Sequence, residues 1–286
     1  MHTPNLKDTI IIYHAQCRDG FGAAYAAWTI YGDDASYIPV KTQDDLPAGL
    51  EGKEIYIVDY SYNIEILTQL LATNKKVVVI DHHESARAAV TSFPDNVFDI
   101  THSGAVLTWK YFHPGTEIPK LLCYIEDQDI WTQKMEHTRE FTAALGEYTQ
   151  DFETWHQLNL NLADRIHFNK FIEHGSIIAR FEDGIVEKIV TFRERALFEE
   201  QEIYVVNAER LYRSITGHHL AKLSQDEGHA GIGIVYYRYN GAIHCSLRSM
   251  PEVDVCVIAQ KYGGGGHKNA ASIRVASFAE LPFTFL

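Results

Sequence analysis

Acids and histidines close three β-rich runs in the N-terminal part of the chain. His14 is followed by Cys17, Asp19 and Gly20, Asp59 ends a second run, and Asp81-His82-His83 ends a third. Carboxylate and imidazole together suit manganese, iron, cobalt or zinc better than calcium. Each residue also has a plainer use. Asp19 could cap the helix that follows it. Asp59 could form a turn or a cap. Paired histidines could fill a loop or sit satisfied in a core. Repetition weighs against these uses: all three runs deliver an acid and two deliver histidine, where turn formers would more often be Gly, Asn or Pro. A fourth candidate is Ile125-Glu126-Asp127-Gln128-Asp129-Ile130-Trp131, whose acids beside Ile and Trp fit a helix end with one acid facing inward. Spacing does not choose between Asp127 and Asp129. A fifth joins Ser246-Leu247-Arg248-Ser249 to Gly263-Gly264-Gly265-Gly266-His267. Consecutive glycines bring backbone N–H groups close to a ligand, and an arginine pairs with phosphate through two bonds. A flexible loop is the plainer reading, but the run passes from His267 almost at once into Ala270-Ala271-Ser272.

The elements that must hold these residues read as α/β. Strands are expected at Thr9–Tyr13, Glu54–Val58 and Lys76–Ile80, with helices at Gly20–Tyr31, Ile64–Leu71, Ala105–Phe112 and Leu121–Trp131. Strands alternating with helices imply a parallel sheet, whose C-terminal edge is where ligands bind. Residues 136–200 read as mainly helical. Beyond them a strand at Glu202–Val206, a helix at Leu211–Ser224, a hairpin turning at Asn240-Gly241, a helix at Val253–Tyr262 and a last strand at Ala271–Ala276 are expected. The division is therefore a catalytic lobe with a parallel sheet at 1–135, a helical connector at 136–200, and a smaller α/β substrate-binding lobe at 201–286.

Taken together, these residues resemble the DHH phosphoesterases, named for the triplet seen as Asp81-His82-His83. The first motif ends in Asp19-Gly20, a second reads Val58-Asp59-Tyr60-Ser61, and the closing glycines and His267 resemble the GGGH signature of the DHH-associated C-terminal domain. The resemblance implies two divalent ions, manganese first, with iron, cobalt or zinc as alternatives. It implies that Asp19, Asp59, His82 and a fourth-motif acid hold one ion, while His14 and Asp59 help hold the other, so that Asp59 bridges. Asp129 is the better match for the fourth motif, with Asp127 in reserve. Asp81 would orient a histidine, His83 would lie near the phosphate, and Arg248, Gly265, Gly266 and His267 would contact substrate. Many members carry Asp-x-Asp where this chain has Cys17-Arg18-Asp19. A thiolate suits iron or zinc better than manganese, so Cys17 either shifts metal preference or stands as a small buried apolar residue.

Composition narrows the chemistry. The 286 residues carry 25 Lys and Arg against 38 Asp and Glu, a net charge of −13. Broad gripping of long nucleic acid is disfavoured, because phosphate neutralisation dominates such binding. No apolar run suits a membrane span, the N-terminus has no apolar leader, and four scattered cysteines suggest no disulfide framework. A cytoplasmic protein is expected, with a short nucleotide as partner, neither long nucleic acid nor membrane, and a second copy of the chain as the one protein partner considered. Two metals sharing a carboxylate would turn a water into a nucleophile toward phosphorus. The expected activity is hydrolysis of very short oligonucleotides or linear dinucleotides to mononucleotides. The alternatives are a 3′-phosphoadenosine-5′-phosphate phosphatase, a cyclic-nucleotide hydrolase, or, from another class, a nucleotide-binding regulator with a weakened metal site.

Overall fold

The computed structural model describes residues 6–41 and 45–286. It divides into two compact units, one ending at Ala179 and the other running from Arg180 to Leu286. No helix among the described residues is long and apolar enough to cross a membrane, and all four cysteines are free.

In the first unit the chain runs β1 (Thr9–His14), α1 (Arg18–Tyr31), β2 (Ala35–Val40), β3 (Glu54–Val58), α2 (Ile64–Thr73), β4 (Lys76–Asp81), α3 (Arg87–Ser92), β5 (Asn96–Phe98), α4 (Gly104–Phe112), α5 (Lys120–Asp129), α6 (Thr138–Leu145) and α7 (Phe152–Leu162). Helix α8 (Arg165–Val190) carries the boundary between the units. The five strands are parallel in the order β2-β1-β3-β4-β5. The β-branched runs of β1, β3 and β4 are buried on both faces, as a parallel sheet covered by helices requires. One face packs Ile10, Ile12, Ile57 and Val79 against Leu67 and Leu70 of α2. The other packs Ile11, Val58 and Ile80 against the alanines of α1 and Leu107 of α4. The three strands that lead into the acid and histidine motifs are thus neighbours, and they place His14, Asp59 and Asp81 along one edge.

The second unit holds β6 (Glu194–Phe198), β7 (Gln201–Asn207), α9 (Arg213–Asp226), β8 (Ile232–Tyr239), β9 (Ala242–Ser249), α10 (Val255–Lys261), β10 (Gly265–His267), β11 (Ala270–Val275) and β12 (Thr284–Phe285). Its sheet runs β10-β11-β9-β8-β7-β6-β12. Asn240 and Gly241, both at positive φ, make the β8–β9 turn, matching the primed turn expected there.

The division differs from the expected three parts. Residues 136–200 form no unit of their own: α6 and α7 pack into the first core through Phe141, Leu145, Trp155 and Leu158, while β6 joins the second sheet. The flexible loop weighed as the plainer reading of the glycine run covers at most Gly263 and Gly264, because Gly265–His267 pairs with β11 as an antiparallel strand.

Candidate metal centre

Four buried or half-buried acids meet three histidines at the edge of the first sheet. His82 Nε2 lies 3.1 Å from Asp59 Oδ1, 3.4 Å from Asp19 Oδ2 and 3.5 Å from Asp129 Oδ2. The other oxygen of Asp59, Oδ2, is 3.5 Å from His14 Nδ1. Asp59 therefore turns one oxygen to each of two donor groups. Ligand atoms of Asp19, His82 and Asp129 lie within 4.8 Å of one another, as do those of His14, Cys17 and Asp59.

The plainer uses of these residues are taken by others or displaced. Helix α2 is capped by Asn63, whose side chain accepts from Ile66 N, and Asp59 adopts φ 54° at the end of β3, a costly conformation for a residue with a side chain. Asp19 does not cap its own helix. Its carboxylate instead accepts from Gly104 N (2.6 Å) and Ala105 N (3.0 Å), at the positive end of α4. A Cβ on Gly104 would stand 2.5 Å from Asp59 Cβ, so only glycine lets α4 come this close. Gly20 serves α1 likewise, where a Cβ would meet His14 O at 2.2 Å.

The three acids of 126–129 have three separate tasks. Asp129 faces the cluster. Asp127 accepts from Thr132 and Thr138 hydroxyls and from Lys134 N and Met135 N, and so ties down a turn in which Trp131 and Gln133 have positive φ. The helix expected to reach Trp131 accordingly stops at Asp129. Glu126 Oε2 accepts from Ser103 N (2.9 Å) and His102 Nδ1 (3.0 Å). Lys110 Nζ stands 2.7 Å from His102 Nε2; since lysine can only donate, Nε2 accepts and Nδ1 carries the proton given to Glu126. This chain anchors the residues just before the N–H groups that hold Asp19. Sequence reasoning missed Glu126 and His102 in that role, although Glu126 belonged to the acidic run it singled out.

The charge balance favours a cation. Burial, then the neighbouring Asp59 and Asp129, pushes the Asp19 carboxyl well above its ordinary range; burial also raises Asp129. Burial would raise Asp59 too, but His14 and His82 overcome it and hold Asp59 well below its ordinary value. Burial opposes charge on His82, yet Asp59, Asp19 and Asp129 push it up to about 10. The Cys17 thiol is driven up by burial and by the same three acids. His14 Nδ1, Asp59 Oδ2 and Asp129 Oδ2 are buried atoms with no hydrogen-bond partner, an expensive arrangement unless a ligand completes it. These donors fit divalent ions. Asp81 stands behind them, with Oδ1 accepting from His82 N (2.7 Å), His83 N (3.2 Å) and His83 Nδ1 (2.7 Å). The histidine it orients is His83, which it pushes up to about 9 against the opposing effect of burial.

In the second unit the register aligns His267 of β10, Ala270 of β11 and Arg248 of β9 in one row, and directly paired residues share a face. Arg248 Nε and Nη2 donate to Ser214 Oγ, and Nη1 donates to Ser246 Oγ and Leu247 O. Burial, then Arg213, lowers Arg248 to about 10. Gly265 and Gly266 flank this row; Gly266 has φ 141°, and a Cβ there would meet Ala270 O at 2.4 Å. The alternation of β9 puts His244 and Ser246 on the face of Arg248, while Ile243, Cys245 and Leu247 enter the core. Arg274 pairs with His244, and after burial the charges of Arg274, Arg210 and Arg213 lower that histidine. This basic lane was not singled out from sequence, although the period-two pattern His244-x-Ser246-x-Arg248 carries it.

A pGpG-specific phosphodiesterase from Vibrio cholerae shares the fold, with a TM-score of 0.50 at 13% identity over 94% of each chain. An exopolyphosphatase-related protein from Bacteroides fragilis aligns with a TM-score of 0.47 at 10% identity, over 93% of this chain and 86% of that one. No family model matches the chain. An uncharacterized protein, R106 of Acanthamoeba polyphaga mimivirus, is 31% identical over 304 aligned residues, covering 96% of this chain and 69% of that protein. At that identity and coverage, the chain belongs to the family of mimivirus protein R106.

Proposed function

We propose that the chain is a metal-dependent phosphoesterase of the DHH type, which hydrolyses very short oligonucleotides or linear dinucleotides to nucleoside monophosphates. The observation that carries this reading is the meeting of His14, Asp19, Asp59, His82 and Asp129 at one sheet edge, with buried donor atoms left unsatisfied. Two divalent ions held by such a set polarise phosphoryl oxygens and acidify water near neutral pH. The residues do the rest. Asp59 offers one oxygen to each donor group. The N-terminus of α4 fixes both oxygens of Asp19. Asp81 grips His83 by Nδ1 and so sets the direction of the ring whose Nε2 would meet a phosphoryl oxygen. In the second unit, Arg248 and His267 offer cationic and hydrogen-bonding groups to a nucleotide's phosphates, and the lane through Ser246, His244 and Arg274 extends them. The Vibrio cholerae fold neighbour, a pGpG-specific phosphodiesterase, supports the phosphodiester class.

The test is purified full chain with manganese and a labelled linear dinucleotide. Mononucleotide should form over many turnovers, stop on chelation and resume on metal addition. Asp59→Ala should lower kcat by more than the roughly 100-fold that loss of an outer-shell partner costs. Stoichiometric binding without turnover, or unchanged turnover in Asp59→Ala, would overturn the reading.

A further inference from the structure

The donors of the metal centre divide into two sets of unlike softness. His14, Cys17 and Asp59 offer a sulfur, an imidazole nitrogen and one carboxylate, whereas Asp19, His82 and Asp129 offer two carboxylates and one imidazole. Cys17 occupies the N-cap position of α1, yet its side chain makes no capping bond. That position ordinarily favours Ser, Thr, Asp or Asn, and a residue that cannot cap costs about 1 kcal/mol. The backbone around it is held: Gln150 Nε2 donates to Cys17 O (3.0 Å), and Phe21 N donates to the same carbonyl (3.2 Å). The sulfur is thus set among donors by a fixed turn. A second, independent observation lies beside it. Asp59 is 1% exposed, and its Oδ2, like His14 Nδ1, is buried with no hydrogen-bond partner. Both residues grouped with the sulfur thus carry such an atom, as Asp129 with its Oδ2 does in the other set.

We infer that the two positions take different metals: His14, Cys17 and Asp59 hold a borderline-soft divalent ion (zinc, ferrous iron or cobalt), and Asp19, His82 and Asp129 hold an oxygen-preferring ion such as manganese. This rests on reading the cluster as a dinuclear centre. Thiolate selects the softer ions, and carboxylate suits manganese. Most N/O/S sites bind zinc more tightly than manganese in any case, so the mark of Cys17 is a difference in selectivity between the two positions, not zinc affinity alone.

The full chain, stripped by chelator, is titrated with cobalt and followed by absorption. A near-ultraviolet thiolate-to-cobalt charge-transfer band should grow with one equivalent and be absent from Cys17→Ser and Cys17→Asp, which retain Cys123, Cys245 and Cys256. Dialysis against zinc with manganese in excess, followed by metal analysis, should leave wild type with both metals. Cys17→Asp should lower the zinc-to-manganese ratio by roughly 10-fold or more, since even outer-shell losses cost 10–100-fold in affinity. Cobalt bound without the band, or a band unchanged in both variants, would overturn the inference. So would two manganese and no zinc in wild type, a result that needs no variant to fold. Dinucleotide hydrolysis is recorded in parallel. A band without turnover leaves the metal assignment standing and removes the phosphoesterase reading, while turnover with manganese and no band does the reverse.

Discussion

Asp127 and Asp129 stand two residues apart, and their environments give them opposite relations to stability. Asp127 is buried and accepts four hydrogen bonds from the turn after α5, which hold its carboxyl below its ordinary range despite burial. Asp127→Ala leaves those donors unmatched and should cost about 3 kcal/mol, the upper part of the range for orphaned buried groups. Burial disfavours the charge of Asp129, and the Asp59 charge adds to this although His82 opposes it. Asp129→Asn removes an unfavourable charge from the metal-free fold. Its melting temperature in chelator should therefore match or exceed that of wild type, while manganese affinity and turnover fall sharply, the usual trade at a functional site. Melting curves with and without manganese check both variants; a drop in chelator for Asp129→Asn would show that residue to be structural. The sequence left this choice open, because both acids fit the end of one helix. What separates them is the turn at 131–138, whose left-handed residues no local pattern announced. Asp19 was legible as a candidate, but its partner is α4, and the backbone of Gly104 lies far along the chain.

The strands that carry the centre were the legible ones. β1, β3 and β4 are β-branched runs buried on both faces, and that burial is what makes such runs conspicuous. β2 and β5 lie at the two edges of the sheet. Tyr37 and Pro39 interrupt the one, three residues make up the other, and an edge tolerates both. β6 was hidden in a charged stretch whose alternation, Glu194-Arg195-Ala196-Leu197-Phe198, buries only Ala196 and Phe198. At this scale the approach of α4 to β3 is the feature most open to test. Gly104→Ala would drive a methyl group into Asp59 Cβ and push the α4 N–H groups off Asp19. Overpacking of this kind costs about 1–3 kcal/mol, and manganese affinity should fall with it. Gly184→Ala is the control: it lies in α8 with nothing within 4 Å of its new Cβ, and should be neutral or stabilising by up to about 1 kcal/mol. Calorimetric manganese titration of both separates the outcomes, and wild-type affinity in Gly104→Ala would show that the approach is not needed for the centre.

The negative charge of the molecule is unevenly divided. Residues 1–179 carry 13 Lys and Arg against 25 Asp and Glu, whereas residues 180–286 carry 12 against 13. Nearly all of the net −13 therefore lies with the unit that carries the candidate metal centre, and the nearly neutral unit carries the basic lane through Arg248. On the proposed reading a dinucleotide brings few phosphates, for divalent ions in the first unit and Arg248 with its neighbours in the second to compensate. Each further nucleotide adds a phosphate that meets acidic surface, with no counterion release to favour it. kcat/KM should accordingly be highest for substrates of about two to four nucleotides and decline beyond, since repulsion accumulates with charge. The salt dependence has a definite sign. For a protein that grips a long strand through many cationic contacts, added salt weakens binding steeply. Here the dominant long-range term for a long strand is repulsion, which salt screens. Raising ionic strength should therefore increase the ratio of long-strand to dinucleotide kcat/KM, although both remain anchored by the same few groups. His267→Ala should cost most on the dinucleotide, which has the fewest other anchors. Measuring kcat/KM for a length series at low and physiological salt decides the matter. If kcat/KM rises with length, or the long-strand ratio falls as salt is added, the short-substrate assignment fails and the chain acts on extended single strands.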